Sequence, residues 1–289
     1  MGGRMETIMT TTPRPRAPRP QIILEVVRSS WVTPHLVRLT LGGPGFADFQ
    51  PKDATDSYVK ISFAKPELGL EPPYDLAALR ETLAPADLPV TRTYTVRRVD
   101  QAAGTIDIDF VVHGDEGIAG PWAAAAQPGD RVVLAGPGGA YRPDPTADWH
   151  LFAGDESAIP AIAAALEALP ADATGLAFLE IGGRDDLVDL DHPAGVQLIW
   201  VGRAARDEST AALLATAISG HPWPDGRVQA FVHGESALLK SVRPYVLDDR
   251  GVSRHDVSVS AYWRRGTTEE GFRRWKSEQK DAVMRPGAS

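Results

Sequence analysis

Between residues 21 and 139 apolar and polar positions alternate in short runs. In TIDIDFVVHG, residues 105–114, Ile106, Ile108, Phe110 and Val112 fall on one side, and Thr105, Asp107 and Asp109 on the other. DSYVKISFA, residues 56–64, puts Val59, Ile61 and Phe63 on one face. QIILEVVRSS (21–30), HLVRLTLGG (35–43), TRTYTVRRVD (91–100) and DRVVLAGPGG (130–139) complete the set. Successive side chains of a strand point to opposite faces, so each run reads as a half-buried strand. Six such segments, joined by turn-rich loops and one insertion at 73–89, predict an antiparallel barrel or sandwich.

The rhythm changes after YRPDPTADW, residues 141–149, whose prolines and short polar residues predict a linker. WHLFAG (149–154), GLAFLEIGG (175–183), VQLIWVG (196–202), RVQAFVHG (227–234) and VSVSAYW (257–263) read as strands. Helical patterns at 157–170, 209–220 and 235–251 lie between them. This alternation predicts a parallel sheet in an α/β domain. The expected divisions are a barrel domain at 20–143, an α/β domain at 149–266 and a charged helix and tail at 267–289, docked through Phe272 and Trp275. Residues 1–19, rich in Pro and Arg, read as a disordered tail without the apolar centre of a secretory signal.

The chain of 289 residues carries a formal charge of −8 and has no cysteine. That removes disulfides, thiolate-held iron–sulfur clusters and a thiol nucleophile from consideration. Its seven histidines, at 35, 113, 150, 192, 221, 233 and 255, show no metal-ligand spacing. The acidic balance argues against a nucleic-acid surface, and no apolar run is long enough for a membrane helix. An anionic ligand must therefore be held by local basic groups.

The 91–100 strand is where such groups cluster. Arg92 and Tyr94 are two apart and share a face; Arg97 lies on the other face unless a bulge intervenes. A guanidinium can grip a pyrophosphate through paired hydrogen bonds, and a tyrosine ring can lie against a flat ligand. In HGDEGIAGPWA (113–123), Gly114, Gly117 and Gly120 let backbone NH groups approach a phosphate. AGDESAIPAI (153–162) and FVHGESALLK (231–240) echo each other as strand, glycine, acidic cap and helix. Gly154, Asp155, Glu156 and Ser157 in one, and Gly234 and Glu235 in the other, are expected at neighbouring strand ends, where α/β sheets bind ligands. Asp155 and Glu156 suit the helix dipole but repel a pyrophosphate. Glu180 and Arg184 stand where a ribose hydroxyl or a 2′-phosphate would be read, with opposite preferences.

RTYTVRR resembles the Arg-x-Tyr-Ser/Thr flavin signature of ferredoxin-reductase-like enzymes. With DFVVHGDEG, GPGG, AGDESAIPAI, HGESALLKSVRPYV and SVSAYWRRG following in order, the chain resembles the siderophore-interacting protein family over about residues 20–270. The resemblance implies a six-stranded Greek-key FAD barrel followed by an NAD(P)-binding-like α/β domain. It implies that Arg92 holds the FAD pyrophosphate, that Tyr94 stacks beside the isoalloxazine and that Thr95 sits near its reactive edge. His113, Gly114, Gly117, Ala119 and Gly120 are implied at the FAD phosphates. Relatives usually carry a small hydroxyl residue near the end of this loop, where IAGPW stands here. Gly154–Ser157, Gly234 and Glu235 are implied on the nicotinamide side, with Lys60, Arg264 and Arg265 as contacts for an anionic iron complex.

Ferric iron takes one electron and a nicotinamide delivers two, so a flavin between them answers a chemical need. No side chain is needed as a nucleophile and none as a metal ligand. The expected activity is reduction of ferric siderophores by NADH or NADPH through FAD, in the cytoplasm, with a reduced ferredoxin as the other donor. Two further readings stay open: a reductase serving a protein partner, and a siderophore carrier without catalysis.

Overall fold

The computed structural model describes residues 20–114, 117–203, 210–267, 271–272, 274–276 and 278. The expected tail at 1–19 and most of the expected helix beyond 267 lie outside them.

Six antiparallel strands close into a barrel: β1 (Ile22–Thr33), β2 (Leu36–Gly42), β3 (Tyr58–Phe63), β4 (Val90–Asp100), β5 (Thr105–Val111) and β6 (Arg131–Gly138). Their order around the barrel is β1-β2-β5-β4-β3-β6, a Greek-key arrangement in which β6 returns to β1. Alternation explains the closure. Leu24, Val37, Leu39, Leu41, Val59, Ile61, Ile106, Ile108, Phe110 and Leu134 are all turned inward and buried. Closing the sheet also removes unpaired edges. Helix α1 (Leu76–Thr82) stands in the β3–β4 insertion, and the Asp75 carboxylate accepts from the amides of Ala77 and Ala78 at its start. Helix α2 (Ala119–Ala125) follows β5 and covers one end of the barrel.

The second unit is a sheet of five parallel strands in the order β11-β10-β7-β8-β9: β7 (Trp149–Gly154), β8 (Thr174–Ile181), β9 (Gly195–Gly202), β10 (Val228–Glu235) and β11 (Val257–Trp263). Every residue of the central β7 is buried, as expected for a strand covered on both faces. On one face α3 (Ile159–Glu167) packs against Phe152, Ala177, Leu179 and Phe231. On the other, α4 (Thr210–Gly220) and α5 (Ser236–Pro244) cover Leu151, Ala153, Phe178 and Val232. The direction of winding reverses between β7 and β10, which lie side by side with Gly154 opposite His233. That is the place where such sheets open a crevice at their carboxyl ends. No described helix is long and apolar enough to cross a membrane.

The barrel and the sheet domain meet directly. His35 in the β1–β2 turn bonds Asp186 at 2.7 Å, and Arg97 of β4 pairs with Glu167 at the end of α3. Tyr141 in the linker stacks obliquely on Phe231, ring centres 4.6 Å apart.

Candidate functional site

Strand β4 builds the barrel side of the site. Its ladder with β3 sets Tyr94 opposite Val59 and Arg92 opposite Ile61, so both share the inward face of those core residues. Thr95 stands opposite Tyr58 on the outer face, as simple alternation requires. The ladder with β5 covers only Val96–Asp100, and its register slips between Val96 and Arg98. Arg97 is the inserted residue of a bulge, a device that re-aims neighbouring side chains. The register explains how adjacent Tyr94 and Thr95 serve different surfaces. Tyr94 lies on Phe110, ring centres 4.3 Å apart, and Phe110 in turn meets Trp122 of α2. Trp122 also meets Phe63 edge-on at 5.3 Å. Helix α2 is thus seated by aromatic contacts on the barrel end from which Arg92 and Tyr94 emerge. Arg92 is half-buried, and one of its guanidinium nitrogens donates to the Thr91 carbonyl at 3.0 Å.

The loop from β5 to α2 carries His113, Gly114 and Gly117. Gly114 and Gly117 have φ of 57° and 81°, conformations that favour glycine, and among the described residues no atom beyond the chain neighbours lies within 4 Å of where a Cβ would stand on either. Ala119 and Gly120 belong to the first turn of α2 rather than to the loop. A Cβ on Gly120 would stand 3.2 Å from the Val111 carbonyl oxygen, so its small size lets the helix approach the end of β5. Beside the loop a cleft of about 510 Å³ is lined by Pro34, His35, Val112, Gly114, Pro121, Ala124 and Ala125.

The sheet side is organised by Asp155. Its side chain is buried and accepts from the Ser157 amide at 3.0 Å, the Glu235 amide at 2.8 Å and the Trp263 indole at 2.8 Å. The ends of β7, β10 and β11 therefore converge on one carboxylate. Burial raises its pKa, against the pull of these hydrogen bonds. A Cβ on Gly234, at φ 140°, would lie 2.8 Å from this carboxylate, and one on Gly154 would lie 2.7 Å from the His233 carbonyl. Both glycines are filled by the protein's own atoms. Glu235 caps α5 by accepting from the Ala237 amide at 2.6 Å.

Glu156 faces Arg203, just after β9, and Arg203 also donates to Glu180 at 2.9 Å. Glu180 has no exposed surface, and its second oxygen has no hydrogen-bond partner among the described residues. Burial pushes its pKa up to about 7, outweighing Arg203. Glu180 is thus turned onto an arginine rather than toward the crevice, while Arg184 is exposed. The pairing partner, Arg203, carries a weak sequence signal: a basic residue directly after a strand end, on the edge where the carboxylates gather.

Tyr262 bridges the two sides. Its side chain faces that of Thr95, and burial, with Asp56 next, raises its pKa. Behind it lies His233, stacked on Phe231 at 3.7 Å and bonded through Nε2 to the Ser258 hydroxyl at 2.9 Å. Burial, with Lys276 nearby, lowers the pKa of His233 to about 3, so it is neutral.

The three basic candidates lie on two separate stretches of the chain, β3 and the segment after β11. Lys60 is exposed on the outer face of β3, two residues from Tyr58 and opposite Thr93. Arg264 lies over the Trp275 ring at 5.2 Å, and the backbone amide of Arg265 donates to Glu235 at 3.2 Å. Phe272 is buried and stacks with Trp275, the docking expected of this segment. Among the described residues no group of three His, Cys, Asp or Glu side chains could hold a metal.

A closed antiparallel barrel running into a five-stranded parallel sheet is the fold of the ferredoxin reductases. A ferredoxin reductase 18% identical to this chain shares the fold at TM-score 0.59, over 86% of this chain and 71% of its own. The chain belongs to the siderophore-interacting protein family. The siderophore-interacting FAD-binding domain matches residues 25–141, and the siderophore-interacting protein domain matches residues 147–266. An uncharacterized protein of Mycobacterium tuberculosis is 49% identical over 278 residues, 92% of this chain and 98% of its own. Ferric vibriobactin reductase ViuB of Vibrio cholerae is 38% identical over 272 residues, 91% of this chain and 94% of its own. A siderophore utilization protein from T. fusca, of known structure, is 39% identical at TM-score 0.75, over 87% of this chain and 95% of its own. The cofactor of the family is FAD, and the residues present fit it: a half-buried guanidinium, two glycines with open backbone and a cleft beside them.

Proposed function

We propose that the protein is a ferric-siderophore reductase in which NADH or NADPH supplies electrons through FAD and iron leaves as Fe(II). The similarity to ferric vibriobactin reductase supports the reaction class. The observation that carries the reading is the meeting of β4 with the sheet domain, where Arg97 pairs with Glu167 and Thr95 faces Tyr262. It brings the outer face of the flavin-signature strand against the carboxyl edge of the sheet, so that a flavin and an electron donor can share one cleft.

In this reading Arg92 holds the FAD pyrophosphate by charge-assisted hydrogen bonds, and the amides near His113, Gly114 and Gly117 and at Ala119 and Gly120 supply further donors. Tyr94 lies beside the isoalloxazine and Thr95 near its reactive edge. FAD takes up two electrons together and releases them singly, which ferric iron requires. The donor docks at the edge formed by Gly154, Asp155, Glu156, Ser157, Gly234 and Glu235. The inward turn of Asp155 and the pairing of Glu156 with Arg203 reduce the repulsion that these acids would exert on a pyrophosphate. Lys60, Arg264 and Arg265 attract the anionic iron complex. The siderophore saturates its iron, so the protein supplies no metal ligand. A cytoplasmic setting, where nicotinamides are reduced, goes with this activity.

A second donor, reduced ferredoxin, is favoured by one feature: both switch-point glycines are packed by the chain's own atoms, which leaves little backbone for a dinucleotide phosphate. Anaerobic mixing separates the readings. The oxidised flavin band should bleach with NADH or NADPH and return on addition of ferric siderophore, with two Fe(II) trapped per flavin. Bleaching by reduced ferredoxin alone would move the donor assignment, and no return with any ferric siderophore would end the reductase reading.

A further inference from the structure

We propose that Arg97 and Glu167 are positioning residues that set the gap between the two domains at the flavin's reactive edge. The proposal rests on the reading above, in which β4 carries the flavin and the donor docks at the carboxyl edge of the sheet.

Each residue is out of place by itself. Arg97 is 7% exposed, a nearly buried cation in a barrel wall. A buried charge is costly unless it is paired and hydrogen-bonded. Glu167 is the last residue of α3, where the helix dipole disfavours a carboxylate. Together they account for each other. Both guanidinium NH2 groups of Arg97 donate to the two oxygens of Glu167, one at 3.0 Å, in the forked geometry that fixes direction as well as distance. Arg98 adds a longer contact at 3.7 Å. Burial pushes the Glu167 carboxyl up, but Arg97 and then Arg98 and Arg38 hold it below the usual carboxylate range.

The location gives the pair its role. Arg97 is the extra residue of the β4 bulge, two positions after Thr95. The fork therefore fastens β4 at the bulge, two residues beyond Thr95. Glu167 ends the helix whose other end is the Asp155–Ser157 turn. The contacts form a circuit: Thr95 to Tyr262, neighbouring Trp263 to Asp155, α3 to Glu167, and Arg97 back to β4. Two anchors on one strand, two residues apart, are thus tied to the two ends of one helix. The first sets the separation of the domains at the cleft and the second sets their tilt. Other described interdomain ties, such as His35 with Asp186, lie away from this strand.

The test uses FAD-loaded protein. Glu167→Gln keeps the shape and removes the charge; Arg97→Lys keeps the charge and removes the fork. Lys65→Ala, which breaks an exposed pair with Asp87, is the control. At saturating nicotinamide, the limiting rate of flavin reduction should fall about tenfold in Glu167→Gln, because misplacement of even 1 Å can cost more than this. FAD affinity should stay within about threefold, since no FAD contact is removed. Arg97→Lys should lie between, and Lys65→Ala should match the parent. A parental limiting rate in both interface variants overturns the proposal. So does loss of FAD in step with a lowered melting temperature in both, which would make the pair a structural bolt only. If neither nicotinamide bleaches the parent, the donor reading fails by itself. The pair is then judged by the visible circular dichroism of the bound flavin and by reoxidation of photoreduced flavin with a ferric siderophore. A change in both upholds the proposal, and anything less overturns it.

Discussion

The chain uses glycine at two kinds of strand end, and they do opposite things. After β5, Gly114 and Gly117 leave open space where side chains would stand. At the ends of β7 and β10, Gly154 and Gly234 make room for the chain itself, the latter for the Asp155 carboxylate. Both pairs follow a strand and precede a helix, so the pattern is the same. A glycine reports that something comes close; what comes close is decided by the rest of the fold.

Substitution should break the two apart. Gly234→Ala combines a φ of 140° with a Cβ 2.8 Å from Asp155. Strain and overpacking together should cost about 3 kcal/mol or more, read as a lower melting temperature with or without FAD. Arg92→Ala should cost about 1.5–3 kcal/mol of FAD binding, roughly ten- to a hundredfold in affinity, and leave the apo protein folded. Arg98→Ala, exposed on the same strand, should cost clearly less; equal losses in titration would sink the assignment. Gly117→Ala meets no described residue beyond its chain neighbours, so the positive φ of 81° sets its penalty, about 1–2 kcal/mol. Its effect should appear in FAD affinity more than in folding.

The packed side also has a proton signature. Glu180 ionises near 7 in the folded chain, against an ordinary value of 4.5. The native state therefore binds more protons than the unfolded chain between those values. Its contribution to stability is full below about 4.5, falls as pH rises to about 7 and is level above. Melting temperatures across this range should slope downward, and Glu180→Gln should flatten that part of the slope. The smallest effect is expected outside both glycine sets. Lys60→Ala should lower flavin reoxidation by an anionic ferric siderophore only a few-fold, and only at low salt, where screening is weak. A parental rate and salt slope would make Lys60 an ordinary surface charge.

Much of this was legible in the sequence, for identifiable reasons. Barrel and sheet follow from a period of two giving way to strand–helix alternation. The neighbouring of β7 and β10 was suggested by the echo of GDESA in HGESA, and Gly154 does lie opposite His233. The face of Thr95 followed from alternation. The bulge at Arg97 did not, because a register slip is set by the partner strand. The direction of Asp155 was hidden for a similar cause: its partners Glu235 and Trp263 lie 80 and 108 positions away. Charge alone suggested repulsion of a phosphate, whereas the fold spends that charge internally. Arg264, read as open to a ligand, is laid over Trp275 by a segment whose docking was expected but whose target was not.

The Asp155 junction also limits how this architecture can be rebuilt. The obvious way to install a glycine-rich dinucleotide turn is to exchange residues 154–157 as a cassette. That would orphan the Trp263 indole and the Glu235 amide and leave a void beside Gly234. The transferable module is larger: the turn, the end of β10 and the end of β11 would have to be transplanted together.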